Sequence, residues 1–291
     1  MSRGKKAVVA LHNSSFQEGS TLMSVNIAPT AVVDPRAKID SDVQIGHFCV
    51  VGPDVTIQRG TRLEAHVTLM GIVDIGEDNH IFPNAVIGAH PQDISYRNSP
   101  TRVEIGNGNT IREGVTINRG TEKEDGITRL GNHCYLMANC HIAHDCKVGD
   151  RVIMANNVMV GGHVHIQNDV TISGGTGIHH FGSVGAFAFI GALARVLHDV
   201  PPYMMCDGTP AKPRCANIVA LKRNNFPAED IRLISEAYKL LYRSKVGYEA
   251  AREVLLSRFS LRPCLKNLFD FLEYQRGGNH GRGRDRRKKV A

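Results

Sequence analysis

What the sequence lacks narrows its class. No apolar run approaches the roughly 18 residues a membrane-spanning helix needs, so no membrane span is expected and a soluble, cytoplasmic protein is. The stretch AVVAL near the start is too short for the hydrophobic region of a secretory signal, and residues 1–22 read as a disordered extension, with an organelle address as the alternative. The seven cysteines are an odd set without such a signal, which points to a reducing compartment. A basic domain face is not demanded either. The formal net charge is +7, but residues 276–291 hold seven Arg/Lys and one Asp, leaving +1 for residues 1–275. That basic tail reads as solvated and disordered, with nonspecific contact to RNA, anionic lipid or an acidic protein as the lesser reading and no specific nucleic-acid partner.

What is present is a period of six. Every sixth residue from Ile27 to Ile87 is aliphatic, Ile105, Ile111 and Ile117 keep the spacing, and the series resumes from Leu130 to Val196 with only Met154 unbranched. No helix has this period. In the second arm, four residues after each of these positions comes a small or β-branched residue, as at Cys134, Cys140, Cys146 and Val152. The pattern predicts a short strand with an inward aliphatic, a turn, and a small side chain in the corner. Three such strands close a triangular coil of 18 residues, and coils stack about 4.8 Å apart. From Phe226 the pattern changes. Pro227, Glu229 and Asp230 mark a helix start, Ile231, Ile234, Tyr238, Leu241 and Tyr242 follow at helical spacing, and further helical pieces are expected near 247–259 and 264–275. The expected organisation is thus an all-β solenoid over 23–216, a small α-helical domain over 217–275 covering an open β-edge, and the tail from 276.

The repeat, as in VGDRVI at 148–153, resembles that of the hexapeptide-repeat acyltransferases. The resemblance implies that the parallel β-helix is left-handed, against the usual right-handed crossover.

The stretch NCHIAHDC (139–146) looks at first like a metal site. Cys49, Cys134, Cys140 and Cys146, however, all occupy the small corner position, and successive ones fall on different corners, so they read as core fillers. The histidines behave in the opposite way. None takes an inward or corner position, and His144, Gly162, His180 and His198 are whole coils apart, forming one outward column with His163 and His179 beside it. Metal-binding relatives of this architecture, the γ-class carbonic anhydrases, use a pair of histidines five apart, and none of the 14 histidines here has such a partner, so no metal is expected. What remains is proton transfer by an imidazole, with Asp145 orienting His144 and the side-chain-free Gly162 offering a backbone N–H to an oxyanion. Base plus donor reads as acyl transfer without a cofactor.

RVEIGNGNTIREGVTINRGT (102–121), NCHIAHDC, MANNVMVGGHV (154–164), DVPPY (199–203) and NIVALKRNNF (217–226) are together similar to one family within this superfamily, the acyl-carrier-protein–UDP-N-acetylglucosamine O-acyltransferases that open lipid A synthesis. The resemblance implies a homotrimer with active sites between neighbouring solenoids, and direct transfer of a 3-hydroxyacyl group from acyl carrier protein to the glucosamine 3-OH of UDP-N-acetylglucosamine. It makes His144 the general base, Asp145 its partner and the Gly162 N–H the oxyanion donor. It assigns Gln92, Asp93, His141, His163, His179 and His180 to the substrates, Asn217 and Arg223 to the nucleotide, and Phe189 and Ala192 to the acyl-chain groove, on the outward face one to two coils beyond His179. Ser95, Asn118, His180, Val219 and Asn224 depart from the family's usual residues, which puts the exact substrate in question more than the reaction. Two alternatives stay open: a related enzyme taking a 3-amino sugar or an acyl-CoA donor, and a silent solenoid that binds a partner.

Overall fold

The computed structural model describes residues 25–277. The expected extension at 1–22 and the tail from 278 lie outside them, and Arg276 closes the last helix instead of opening the tail. Short strands, mostly of two residues, stack into three sheets of eleven, nine and eight strands among the described residues. Neighbours along each sheet of the coil are parallel. Residue i pairs with i+18 through most of the solenoid, as in Lys147 with His165 and His141 with Met159. The inward aliphatics form the core, with Ile81, Ile117, Ile142 and Val160 fully buried.

The corner position has a chemistry that its side chains share. The thiols of Cys134, Cys140 and Cys146 and the hydroxyl of Thr176 each donate to the carbonyl 15 residues on, at 3.1, 3.1, 3.1 and 2.9 Å. A small donor there satisfies a carbonyl of the next coil at a bend where no strand partner is available. Burial pushes the Cys140 thiol up to about 11, which suits a filler and not a ligand. At the corner that carries Cys134, the side-chain oxygens of Asn107, Asn132, Asp150 and Asn168 accept the N–H of Glu77, Asn107, Asn132 and Asp150 in turn, a ladder running from coil to coil. A Cβ on Gly106 would fall 2.5 Å from Asn132 Oδ1, which is why glycine precedes this position.

The 18-residue register is lengthened twice, and the last coil is shortened to a step of 16 between Phe189 and Met205. Asp74 pairs with Glu104 and Glu104 with Arg129, steps of 30 and 25 residues that correspond to insertions of 12 and 7. The first follows the strand Val86–Ala89 and the second follows Thr116–Asn118, so both loops leave the solenoid at one corner, between the nine-stranded and eight-stranded sheets.

The eleven-stranded sheet ends in an antiparallel hairpin, Met204–Gly208 with Ala211–Ala216, which the six-residue pattern does not predict. Four helices follow among the described residues: α1 (Ile218–Arg223), α2 (Ala228–Tyr238, continuing as a wider turn over Lys239–Arg243), α3 (Tyr248–Arg258) and α4 (Pro263–Arg276). Buried Leu233, Ile234, Leu265 and Leu268 join them to the same core as the solenoid, and Asn267 Nδ2 donates to Tyr203 Oη at 2.8 Å across the junction. No helix among the described residues is long and apolar enough to cross a membrane.

Candidate active site

The corner that releases both loops also carries the histidine column. In the coils beyond the loops its turns place Asp145, His163 and Phe181 at φ 60°, 62° and 62°. That left-handed conformation is uncommon outside glycine and swings the chain from one sheet to the next. His144 and Gly162 stand just before these turns. The His163 N–H donates to His144 O at 3.0 Å and the Phe181 N–H to Gly162 O at 2.9 Å, which keeps the coils in step.

His144 and Asp145 form a built pair. Nδ1 of His144 lies 2.9 Å from Oδ2 of Asp145, whose side chain is fully buried. The second loop supplies the other partners: Thr121 donates its N–H to Oδ1 at 2.8 Å and its hydroxyl to Oδ2 at 2.6 Å. Burial opposes charge on Asp145, but the bonds from His144 and Thr121 outweigh it and hold the carboxyl below the usual carboxylate range. A carboxylate facing Nδ1 favours the tautomer protonated there and leaves Nε2 as the basic atom. Gly162 makes room for this ring. A Cβ on it would fall 2.6 Å from His144 Cε1 and 2.7 Å from Nε2, a more immediate need for glycine than the open approach expected from sequence. Among the described residues none accepts a hydrogen bond from the Gly162 N–H.

The histidines point away from the solenoid core, as their positions in the repeat predict, and His180 and His198 are exposed, but the part of the stripe nearest the loops is not. His144 is 9 % and His163 3 % exposed, because the inserted loops roof them. His163 stacks on Phe181 with ring centroids 4.4 Å apart, meets His144 edge-on at 5.1 Å, and has the Glu124 carboxylate 3.0 Å from Nδ1. His141 accepts or donates a 2.8 Å bond with the Thr116 hydroxyl, and burial, then the nearness of His144, pushes its pKa down, so it is held neutral. His179 and His180 lie against each other at 3.9 Å.

Two clefts meet at this point. One runs along the nine-stranded sheet past Gln92, His141, Met159, Gly177, His179 and Arg195. The other is enclosed by Asp93, Lys123, His163, His180 and Phe181. His144 and Gly162 line both. Thr121, Lys123, Glu124 and Phe181 escape the sequence reading. The only signal for the loop residues is the break in the period, since nothing in their identity shows where a loop folds back.

Asn217, Arg223 and Phe189 are not brought to His144 within one chain. They share a third cleft on the eleven-stranded sheet, with Arg151 and Asp169. The expected placement of Phe189 and Ala192 on the face beyond His179 is corrected here. Steps of 10 and 13 residues are about half to three-quarters of an 18-residue coil, so Phe189 falls on another sheet and Ala192 on the exposed corner after it. Within the chain Asn217 also caps α1: its Oδ1 accepts the Ala220 N–H at 3.3 Å and its Nδ2 donates to Phe187 O at 2.8 Å. Among the departures, Ser95 donates its N–H and hydroxyl to Asp93 Oδ1, Asn224 bonds Ala220 O at the end of α1, Val219 is exposed, and Asn118 is buried with Oδ1 unpartnered among the described residues.

His144, Asp145 and His163 are the grouping among the described residues whose ligand atoms lie within 4.8 Å of one another, the spacing a cation needs. Their existing bonds, with Nδ1 turned to a carboxylate that Thr121 also holds, fit a proton-handling pair. A hexapeptide solenoid with such a pair where two clefts converge defines the class: an acyltransferase of the hexapeptide-repeat type.

Comparison with known proteins narrows this. Residues 36–71 and 127–162 match the family described as bacterial transferase hexapeptide (six repeats), and residues 199–283 match Udp N-acetylglucosamine O-acyltransferase; Domain 2. The chain is 44% identical over 252 residues to the acyl-[acyl-carrier-protein]–UDP-N-acetylglucosamine O-acyltransferase of Thermodesulfovibrio yellowstonii, covering 87% of this chain and 98% of that one. It superposes on LpxA from Acinetobacter baumannii with a TM-score of 0.82 at 43% identity, covering 85% and 96% of the two chains. The UDP-N-acetylglucosamine acyltransferase of Bacteroides fragilis gives the same TM-score, 0.82, at 35% identity and the same coverage, 85% and 96%. The chain belongs to the acyl-[acyl-carrier-protein]–UDP-N-acetylglucosamine O-acyltransferase family, and its fold is the left-handed parallel β-helix of those structures.

Proposed function

We propose that the protein transfers a 3-hydroxyacyl group from acyl carrier protein to the 3-OH of UDP-N-acetylglucosamine, the first step of lipid A synthesis, in the cytoplasm and without a cofactor. The observation that carries this reading is the convergence of two clefts on His144 and Gly162. A two-substrate transfer needs a base that touches both, and the family of the chain supplies the identity of the substrates. Nε2 of His144 takes the proton of the acceptor hydroxyl as its oxygen attacks the thioester carbonyl, and the Gly162 N–H steadies the developing oxyanion. Asp145 stabilises the imidazolium that forms. As the tetrahedral intermediate collapses, the C–S bond breaks and His144 returns the proton to the departing thiolate, so no covalent enzyme intermediate is formed.

The remaining substrate contacts fit a homotrimer. Asn217, Arg223 and Phe189 lie on a different sheet from His144, and a neighbouring solenoid that presents this sheet to the two clefts brings nucleotide and acyl-chain contacts to the base. The test is an assay of UDP-N-acetylglucosamine and its 3-amino analogue, each with acyl carrier protein and coenzyme A thioesters, together with sedimentation. Turnover restricted to the 3-OH sugar and the carrier-protein donor, by a trimer, supports the proposal. Preference for the amino sugar or coenzyme A, or an active monomer, overturns the corresponding part.

A further inference from the structure

The second inserted loop carries a lysine that no part of the reaction above uses. Lys123 Nζ ion-pairs with Asp93 Oδ2, joining the 7-residue insertion to the 12-residue one. Asp93 is held from the other side by Ser95, whose N–H and hydroxyl reach Oδ1 at 2.9 and 2.8 Å. The Asp93 side chain is only 12 % exposed, and both residues line the cleft that ends at His144 and Gly162. The loops are tied a second time where the Arg97 N–H donates to Glu122 Oε1 at 3.0 Å.

We propose that Lys123 is a positioning residue for the sugar acceptor: through its ion pair it fixes the Asp93 carboxylate in the acceptor cleft and clamps the two loops over His144. This rests on the acceptor being a hydroxyl-rich nucleotide sugar, as proposed above. An ionised carboxylate with fixed oxygens accepts from sugar hydroxyls, which a swinging or protonated one does not do with the same geometry. Burial opposes charge on Asp93, but the Lys123 ammonium and the two Ser95 donors outweigh it and hold the carboxyl well below its usual range. Charge balance gives a second reason. Asp93, Glu124 and Asp145 place three carboxylates around the site where a diphosphate-bearing substrate must dock, and Lys123 offsets the one that lines the acceptor cleft.

The test is a kinetic cycle of Lys123→Ala, Lys123→Arg, Asp93→Asn and the double variant Lys123→Ala/Asp93→Asn. Lys123→Ala is expected to raise the KM for UDP-N-acetylglucosamine about tenfold while the acyl-donor KM moves less than about twofold, and Lys123→Arg recovers most of the loss. The double variant is expected to be no worse than Asp93→Asn alone, because the lysine acts through the aspartate. An acceptor KM unchanged in Lys123→Ala, or losses that multiply in the double variant, overturns the proposal. Failure of the functional reading shows separately, as wild-type enzyme that does not acylate this sugar. In that event amide exchange decides: faster exchange of both 90–101 and 119–126 in Lys123→Ala supports the clamp, and unchanged exchange refutes it.

Discussion

Nδ1 of His144 stands 2.9 Å from Oδ2 of Asp145, with the ring lying over the Cα of Gly162 so closely that a methyl group there has no room. His144→Ala removes the base, and kcat is expected to fall by about 10²–10⁴-fold with the far-ultraviolet spectrum unchanged. A variant keeping more than about a third of the wild-type rate removes His144 from this role.

Gly162→Ala is the steric counterpart. The added Cβ meets His144 Cε1 at 2.6 Å and Nε2 at 2.7 Å, so the ring must leave its place over the glycine. The residue is not among those with positive φ, so the backbone itself tolerates alanine. A fall in kcat of at least about tenfold is expected, since sub-ångström misplacement of a base is costly; crystals of the variant are expected to show the imidazole rotated.

Asp145 titrates lower in the folded chain than its ordinary 3.8, so on acidification the unfolded chain takes up this proton first. Its stabilising share is therefore complete above about pH 4 and is lost as pH falls through the lower folded value. Asp145→Asn lacks that share. The difference in melting temperature between wild type and variant is expected to be widest near neutrality and to close on going below about pH 4; a difference that grows on acidification contradicts the assignment. Asp145 stays ionised through the working range.

Cys140 separates the filler reading from a chemical one. Cys140→Ala removes a buried thiol and its 3.1 Å bond to Ala155 O, for an expected loss of about 1–2 kcal/mol in denaturant unfolding. Turnover at 25 °C is expected to stay within about twofold of wild type. Loss of activity without loss of stability places chemistry at the thiol.

Asn217→Ala removes the cap of α1 and the bond to Phe187 O, so about 0.5–2 kcal/mol of stability is expected to go, measured by urea unfolding. An acceptor KM that rises as well supports its role at a neighbouring chain's site.

The coil was legible because its signal is repetitive: each of Ile142, Val160 and Ile178 says the same thing about the same sheet, and one slip in register would expose them all. The dyad was legible because His144 and Asp145 are adjacent in sequence, and Gly162 because it lies one coil on. What could not be read depended on where the interrupted segments return. That Thr121 closes on Asp145, Lys123 on Asp93 and Glu124 on His163 is set by loop conformation, which no period encodes. The roofing of His144 and His163 follows from those loops and was invisible for the same reason. Phe189 and Ala192 were misplaced because counting coils fixes height along the axis, while their sheet depends on the remainder.

The two insertions enter and leave the solenoid at the same corner, and the coils on either side keep their pairing. Length can therefore be added or removed there without moving a single core residue. The segments that carry Asp93 and Lys123 can change length without disturbing the coils that bear His144, Asp145 and Gly162. Acceptor contacts and proton transfer are in this sense separable except at Thr121, whose two bonds to Asp145 tie the second loop to the chemistry beneath it, so a new sugar can be accommodated by rewriting the other inserted residues.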